Sequence, residues 1–210
     1  MKKLLAIFTV LIFAISLSST VNAADLSSGL IGYWPLDGNV KDTIGGNDGE
    51  LVEGASFVNN GKVEGAVELD GNTGYIEIPD FELITEAITT LAWIKGWRQT
   101  AWAGIVSSRG GTSDFWVGFT DADTLSYVWN DNSDQTWGWR DGPAIPENEW
   151  AMIAMTIEPE QAIAYIYSGG TLNQGVNDIE HIEQTIDGLF TFGWDNNFPG
   201  ERHLQGIIDE

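Results

Sequence analysis

The chain contains ten tryptophans among 210 residues, and several of them stand next to polar residues rather than within apolar runs. An indole face stacks on the C–H face of a sugar ring, while neighbouring carboxylates and amides bind the hydroxyls. Trp137 and Trp139 are two residues apart, so a strand would place them side by side. These patterns select a candidate sugar-binding set of Trp97, Trp102, Asp134, Gln135, Trp137, Trp139 and Arg140.

A second interpretation assigns the same tryptophans to the protein core. A large β-sandwich needs big aromatic side chains inside, and tryptophan is highly buried on average. Trp137 and Trp139 fit that interpretation as well as the first. Core positions are also predicted for four tryptophans that lie within apolar strand patterns, namely Trp34, Trp93, Trp116 and Trp150.

The loop from Asp37 to Gly49 is a candidate calcium site because it is rich in Asp, Asn and Gly. Calcium takes about six to eight oxygen ligands from carboxylates, amide carbonyls and the backbone. The glycines would let backbone carbonyls turn inward. Asp, Asn and Gly are also ordinary turn formers, so a loop without metal explains the same composition.

Sequence motifs for other chemistry are missing. We find no Gly-x-Ser-x-Gly elbow, no His-Glu-x-x-His helix and no P-loop. The chain has no cysteine and two histidines, too few residues for a zinc site of soft ligands. His181 and His203 are therefore predicted to lie at the surface.

Short strands are the elements that must position these residues. Val67 and Leu69 alternate with polar residues, and a glycine-rich turn follows. After the turn, Ile76 and Ile78 alternate with Tyr75 and Glu77. Two alternating segments around such a turn predict an antiparallel hairpin. Many such strands with frequent turn signals predict an all-β, two-sheet antiparallel jelly-roll sandwich. Further strands are predicted at 30–36, 51–58, 89–94, 103–108, 115–119, 124–129, 136–140, 150–157, 162–167, 190–194 and 204–208.

The first 23 residues have the pattern of a secretory signal peptide. Two lysines precede an apolar run that is too short to span a bilayer, and Val21-Asn22-Ala23 provides a cleavage site. We therefore predict an exported protein without membrane insertion, whose mature domain is residues 24–210.

That domain has seven basic and 31 acidic residues, a net charge of −24. So negative a surface argues against nucleic acid or anionic membranes as partners.

Several segments resemble a known family. The stretch GAVELDGNTGYIEIPD, followed by TTLAWIKGW, is similar to the hairpin and Trp-bearing strand of laminin-G-like, concanavalin A-like jelly rolls, which are secreted bacterial modules. GLIGYWPLDGNVKDTIGGNDGEL resembles their opening segment, and NEWAMIAMTIEPEQAIAYIYSGG and GIIDE their late hairpin and closing strand. The resemblance runs from about Gly29 to the end. Its function signal is weak because this fold hosts binders, enzymes and adhesive modules.

The resemblance also implies specific residues. A structural calcium in such modules lies between the Asp/Asn/Gly loop and the closing acidic pair. This implicates Asp42, Asn47 and Asp209, with Asp37 and Glu210 as helpers. Glucanases of the superfamily use a Glu-x-Asp-x-x-Glu strand. Here Glu68-Leu69-Asp70 is followed by Thr73, so one carboxylate of that pattern is missing.

In related modules the closing strand continues beyond the Ile-Asp-Glu at which this sequence stops. The resemblance thus implies a C-terminally truncated domain of a longer chain with further domains. The predicted function is non-catalytic, lectin-like binding of an extracellular or cell-surface polysaccharide, with a structural calcium. The alternatives are an adhesive protein-binding module and a diverged glycoside hydrolase or polysaccharide lyase.

Overall fold

Strands make up the regular structure of the computed structural model, which describes residues 29–96, 101–129 and 135–210. Within these ranges there is no helix, and hence none long and apolar enough to cross a membrane. The strands are β1 (Glu50–Val52), β2 (Ala55–Val58), β3 (Ala66–Asp70), β4 (Tyr75–Ile78), β5 (Leu83–Thr85), β6 (Ile88–Gly96), β7 (Gly104–Arg109), β8 (Phe115–Phe119), β9 (Leu125–Val128), β10 (Ala151–Ile157), β11 (Ala162–Ser168), β12 (Thr171–Asn177), β13 (Gln184–Ile186), β14 (Leu189–Phe192) and β15 (Gln205–Asp209).

Two large sheets form a sandwich. The six-stranded sheet has the order β1-β4-β14-β7-β8-β9, and the seven-stranded sheet has the order β12-β11-β10-β6-β15-β3-β2. A small sheet joins β13 to β5. All paired strands run antiparallel. The predicted all-β jelly-roll sandwich is confirmed.

The core lies between the two large sheets. Alternate residues of each strand point inward, as the period of two requires. Ile94 and Ile153 contribute from the seven-stranded sheet, and Phe115, Val117 and Phe119 contribute from the six-stranded sheet. Burying one such side chain stabilises the fold by roughly 1.5–3 kcal/mol.

The six-stranded sheet is also covered on its outer face at one end. Every residue of β8 and β9 is buried, whereas a strand with one wet face would alternate between buried and exposed residues. Trp116 and Val128, which point away from the core, are 1% and 4% exposed. A second layer therefore lies over this end of the sheet, and it forms the site described below.

The predicted hairpin around Asp70 is wrong. β3 pairs with β2 and β15 in one sheet, whereas β4 pairs with β1 and β14 in the other. The glycine-rich turn thus carries the chain across the sandwich. Asp70 holds the turn, because its Oδ1 accepts the backbone N–H groups of Asn72, Thr73 and Gly74 at 2.8–2.9 Å. The alternation of apolar and polar side chains along a strand is the same whichever strand it pairs with. The sequence pattern therefore could not show that β3 and β4 belong to different sheets.

Two other predicted strands are not strands. Residues 30–36 and 136–140 have no strand pairing, and residues 135–138 form a turn. The hairpin at 150–157 and 162–167 is confirmed as β10 and β11, which pair from Met152↔Tyr167 to Ile157↔Ala162. Strands β5, β12 and β13 were not predicted, because their sequences are short or polar.

His181 and His203 are both buried, so the prediction of surface histidines is wrong. His181 Nδ1 lies 2.8 Å from the carbonyl oxygen of Glu158, and its Nε2 lies 2.8 Å from the Tyr127 hydroxyl. A carbonyl only accepts, so Nδ1 carries the proton and Nε2 accepts from the tyrosine. Burial lowers the pKa of His181 more than the Glu158 carbonyl raises it.

This network predicts a pH-dependent stability. The folded-state pKa of His181 lies below its ordinary value of 6.5, so the unfolded chain binds the proton more readily, and the stability that His181 contributes is lost as pH falls below 6.5. We expect the difference in unfolding free energy between the wild-type protein and His181→Gln to shrink between pH 7.5 and 5.5 by up to about 1.4 kcal/mol. Chemical denaturation at both pH values measures it. A difference that stays constant would show that the ring accepts a proton within the fold.

Candidate functional site

A cavity of about 380 Å³ lies on the outer face of the six-stranded sheet. Its volume falls within the range of roughly 300–1,000 Å³ typical of small-molecule sites. Strands β7, β8 and β9 form its floor, and the segments before β7 and after β14 form its walls. The lining residues are Trp102, Arg109, Trp116, Val128, Trp137, Asp195, Phe198 and Arg202.

The floor follows from the register of β8 with its neighbours. Trp116 pairs with Val128 on one side and with Ser107 on the other, so these side chains share the face opposite the core. Gly118 makes room for the indole, because a Cβ there would lie 2.3 Å from a ring carbon of Trp116 and 2.3 Å from the carbonyl oxygen of Ala103. A side chain at position 118 would therefore push the Trp116 ring off the sheet.

The indole rings of Trp102 and Trp137 form the aromatic wall of the cavity and meet the Trp116 ring of its floor. The ring centroid of Trp102 lies 5.7 Å from that of Trp137, with an interplanar angle of 80°, and 6.5 Å from that of Trp116. Trp102 has a positive φ of 68°, which is an uncommon conformation for a bulky residue. Trp137 is 40% exposed and stands at the mouth.

Two arginines and one buried carboxylate form the opposite wall. Asp195 is fully buried; its Oδ2 lies 2.9 Å from Arg202 Nη1 and its Oδ1 lies 3.4 Å from Arg109 Nη1. Arg109 also pairs with Asp114 at 3.3 Å. The Arg202 guanidinium stacks 3.2 Å from the ring centroid of Phe198. Because a buried charge must be paired, Asp195 fixes both arginines in place.

Hydrogen bonds fasten the segment after β14 to the sheet. Asn196 accepts from the Ser107 hydroxyl at 2.6 Å and donates to the carbonyl oxygens of Leu189 and Arg109. The Thr191 hydroxyl donates to the Trp194 carbonyl at 3.0 Å. This wall is therefore built into the sheet rather than loosely laid over it.

Two buried donors that belong to the lining have no hydrogen-bond partner among the described residues. They are the indole Nε1–H of Trp116 and the Nε–H of Arg109. An unpaired buried donor costs roughly 1–3 kcal/mol. The cavity therefore offers aromatic faces for stacking, and its lining side chains also carry two unused donors that are closed to water in the free protein. A ligand with an apolar face and oxygen acceptors would reach these donors after a shift of the lining.

The structure brings together part of the predicted sugar-binding set. Trp102 and Trp137 meet at the cavity, and the Arg140 guanidinium carbon lies 5.2 Å from the Trp102 ring centroid while Arg140 pairs with Asp121. Gln135 is exposed at the turn, and its carbonyl accepts from Asn177. Trp97 and Asp134 lie outside the described residues.

The structure removes Trp139 from the predicted sugar-binding set. Its side chain is 9% exposed and belongs to the core, where it packs edge-on against Tyr127 with ring centroids 6.0 Å apart. Residues 135–138 form a turn instead of a strand, so Trp137 and Trp139 point to opposite sides. Their spacing predicted a shared face only on the assumption of extended backbone.

Sequence reasoning missed Trp116 and the polar wall made by Arg109, Asp195, Phe198 and Arg202. The signal for Trp116 was present, because Phe115, Val117 and Phe119 alternate with it and occupy the core. Trp116 must then point away from the core. No sequence signal linked the arginines to the tryptophans, because Arg109 and Arg202 meet only through the pairing of β7 with β14.

The loop that was predicted to bind calcium is organised by Asp42. Asp42 Oδ1 accepts the backbone N–H groups of Tyr33, Ile44 and Gly45, and Oδ2 accepts the backbone and side-chain N–H groups of Asn47. Burial acts to raise the pKa of Asp42, but these donors lower it to about 2. Both oxygens are already engaged, so the donor set at Asp42 and Asn47 does not fit a calcium ion.

Asp209 is different, because it is fully buried with one free oxygen. Oδ2 accepts the N–H groups of Lys62 and Val63 at 2.6 and 2.9 Å, whereas Oδ1 has no partner among the described residues. Burial raises the pKa of Asp209; those N–H groups lower it, and the charges of Glu210 and Asp37 raise it further. Within the described ranges, no three acidic or histidine side chains form a ready metal-binding group.

A second concavity, of about 620 Å³, lies on the seven-stranded sheet and contains the Glu68-Leu69-Asp70 sequence. Among the described residues, its lining includes no aromatic ring. Glu68 is exposed, and Asp70 is committed to its own turn. Burial acts to raise the pKa of Asp70, but hydrogen bonds from Thr73, Gly74 and Asn72 lower it to about 2. Such a carboxyl is ionised at neutral pH and cannot serve as a general acid.

Comparison with known proteins identifies the family. Residues 70–210, more than half of the chain, match a laminin G family model described as the concanavalin A-like lectin/glucanases superfamily. Comparison with curated protein sequences finds no match.

Solved structures with the same fold include domain 4 of an extracellular arabinanase from Geobacillus stearothermophilus in complex with arabinotriose. It has a TM-score of 0.60 and 16% identity, over 86% of this chain and 89% of that domain. A Trypanosoma rangeli sialidase mutant displaying trans-sialidase activity has a TM-score of 0.53 and 12% identity, over 89% of this chain and 30% of the sialidase. This chain thus spans less than a third of the sialidase.

The role of Asp42 can be tested by removing its carboxylate. We expect Asp42→Ala to lower the unfolding free energy by about 1–3 kcal/mol, because several N–H groups lose their acceptor. The loss should be equal with calcium and with a chelator, and Glu68→Ala, which removes an exposed carboxylate, should have little effect. Denaturant titration measures both. A loss seen only with calcium would instead make Asp42 a metal ligand.

Proposed function

The chain belongs to the concanavalin A-like lectin/glucanases superfamily, and we propose that it is a non-catalytic carbohydrate-binding module whose site is the Trp102 cavity. The observation that carries the proposal is the meeting of three indole rings with arginine and carboxylate groups around one cavity. Sugars have apolar C–H faces and polar edges, and this lining complements both.

Binding would use stacking for affinity and hydrogen bonds for orientation. Trp137 at the mouth and Trp102 beside it present ring faces and edges to a sugar. Arg109 and Arg202, which Asp195 holds in place, would bind hydroxyls on the opposite side. Because Asp195, Asn196 and Gly118 set this lining in the free protein, little ordering would be needed on binding.

Binding without catalysis is supported by the second concavity. Glycoside hydrolysis needs two carboxyl groups with different tasks, one of them protonated. Asp70 is held as a carboxylate by its turn, and Thr73 stands where the glucanase pattern has its last carboxylate. A diverged hydrolase or lyase would need a carboxylate pair elsewhere.

A glycan as the ligand class agrees with the solved relative of matching length, since the arabinanase domain was solved with arabinotriose. That arabinanase is extracellular. Together with the signal-peptide pattern, this supports export of the present chain to the cell surface or medium, where polysaccharides occur.

Asp209 is the residue that fits a structural calcium. Its Oδ1 is buried and unused, and the charges of Asp37 and Glu210 act on it. A divalent cation would neutralise this buried negative charge. In this proposal Asp209 supplies the ligand inside the fold, and Asp37 and Glu210 supply the neighbouring charge.

A second candidate function, adhesion to another protein, is favoured by a row of apolar side chains on the outer face of the seven-stranded sheet. Trp93, Met152, Tyr167 and Leu172 are cross-strand neighbours and are partly or largely exposed. Exposed apolar patches often mark interaction surfaces. Adhesion to cells that survives Trp102→Ala but is lost in Leu172→Glu would favour this function over glycan binding.

Replacement of Trp102 tests the carbohydrate proposal. We expect Trp102→Ala and Trp137→Ala to lose retention on a polysaccharide array by at least about tenfold, because each removes a stacking surface. Trp93→Ala, which removes a partly exposed tryptophan on the other sheet, is the matched control and should bind normally. Thermal melts confirm that each variant is folded. Equal retention by Trp102→Ala and wild type would overturn the proposed site.

Calcium binding at Asp209 has its own test. We expect calcium to raise the melting temperature of the wild-type protein relative to a chelator. Asp209→Asn should lose this response and yet be at least as stable as wild type in the chelator, because Asn still accepts from Lys62 and Val63 without the buried charge. The assignment would be refuted if calcium left the melting temperature of the wild-type protein unchanged, or if it raised the melting temperature of Asp209→Asn by the same amount as that of the wild type.

A further inference from the structure

The cationic residues of this acidic chain are unevenly placed. The mature chain has only seven lysines and arginines against 31 acidic residues. Arg109, Arg140 and Arg202 are the three arginines of the described residues, and all three lie at the Trp102 cavity. The lysines of the described part lie elsewhere; Lys62, for example, lies over Trp93 on the other sheet.

Charge counting at the cavity gives a local balance of charge, in contrast to the strongly acidic remainder of the chain. Arg109 and Arg202 in the lining pair with two carboxylates, those of Asp195 and Asp114. Arg140 adds a third guanidinium at the rim, where its partner is the exposed Asp121. At physiological ionic strength, exposed charges more than about 8 Å away are largely screened. A ligand inside the cavity therefore experiences this balanced set of three arginines and their aspartates more strongly than the overall negative charge of the protein.

The unused donors point to the same ligand chemistry. Trp116 Nε1–H and Arg109 Nε–H are buried and have no acceptor in the part of the chain that the structure describes, and Trp116 is 1% exposed. A carboxylate has two oxygens that only accept, so it can take both donors without contributing an unpaired donor of its own. Hydrogen bonds of this charge-assisted kind are stronger than bonds to a neutral hydroxyl.

We infer that the ligand is an acidic glycan, a polysaccharide whose sugar rings bear carboxylate groups. This inference rests on the proposed function and specifies its ligand class. The sugar ring stacks against Trp102 and Trp137, and its carboxylate is held between Arg202, Arg109 and the indole N–H of Trp116. The charged substituent, not the ring, then distinguishes this ligand from a neutral polysaccharide.

Polygalacturonate and its fully methyl-esterified form are suitable probes because they share a backbone and differ in charge. We expect the full chain with its signal peptide removed to bind polygalacturonate at least about tenfold more tightly than the methyl ester, measured by affinity electrophoresis or calorimetry. A neutral dextran and dextran sulfate complete the set. The sulfated glucan distinguishes a preference for carboxylates from a general preference for anions.

Variants locate the effect at the cavity. Arg140→Gln changes an exposed rim residue, and Trp116→Phe keeps an apolar ring while removing a donor that has no partner, so both should fold. Each should weaken polygalacturonate binding several-fold and leave binding to the methyl ester nearly unchanged. Lys62→Gln is the matched control, because it removes a cation stacked on a tryptophan of the other sheet. It should bind both probes as the wild type does.

The outcomes separate this inference from the function on which it rests. Equal affinity for both galacturonans, a preference for dextran, or tighter binding of dextran sulfate would overturn the carboxylate assignment while the cavity could still bind sugar. No binding to any of the four polysaccharides would overturn the acidic-glycan inference, whereas the proposed function is overturned by equal retention of Trp102→Ala and wild type on the polysaccharide array. A preference for polygalacturonate that Lys62→Gln abolishes and Arg140→Gln keeps would place the effect outside the cavity.

Discussion

Burial of one end of the six-stranded sheet on both faces is the constraint that organises the functional end of this protein. The inner face is covered by the opposite sheet, but the outer face of β8 and β9 has no sheet to cover it. Apolar residues such as Trp116 and Val128 must still be kept from water. Trp102, Trp137 and the segment after β14 provide that cover. Large aromatic rings do not close a surface completely, and the space that remains between them is the cavity.

Electrostatics fix the shape of this cover. A carboxylate as buried as Asp195 is tolerated only when cations and hydrogen bonds surround it. Arg109 comes from β7 and Arg202 from the segment before β15, so one buried charge ties two distant parts of the chain together. The same pairing brings guanidinium groups into a protein surface that is otherwise strongly acidic. The stability of this wall and the binding chemistry that we propose for it thus have one physical origin.

Acidic side chains serve three different purposes here, and their surroundings decide which. Asp42 and Asp70 receive several N–H donors each and hold turns. Asp195 pairs with guanidinium groups and shapes the cavity. Asp209 lies buried with a free oxygen and with other negative charges acting on it, which suits a cation. Composition alone does not distinguish these aspartates from one another. The calcium prediction therefore included Asp42, although both of its carboxylate oxygens already accept hydrogen bonds within the loop.

The sequence by itself determined the all-β class, most strand positions and the tryptophan-rich character of the site, because alternation and turn residues are local signals. It also selected Trp102, Trp137 and Arg140. Only the tertiary structure decided that β3 and β4 belong to different sheets, that Trp139 is core, and that Arg109, Trp116 and Arg202 complete the cavity. Strand pairing decides these points, and pairing joins residues far apart in sequence without leaving a local pattern.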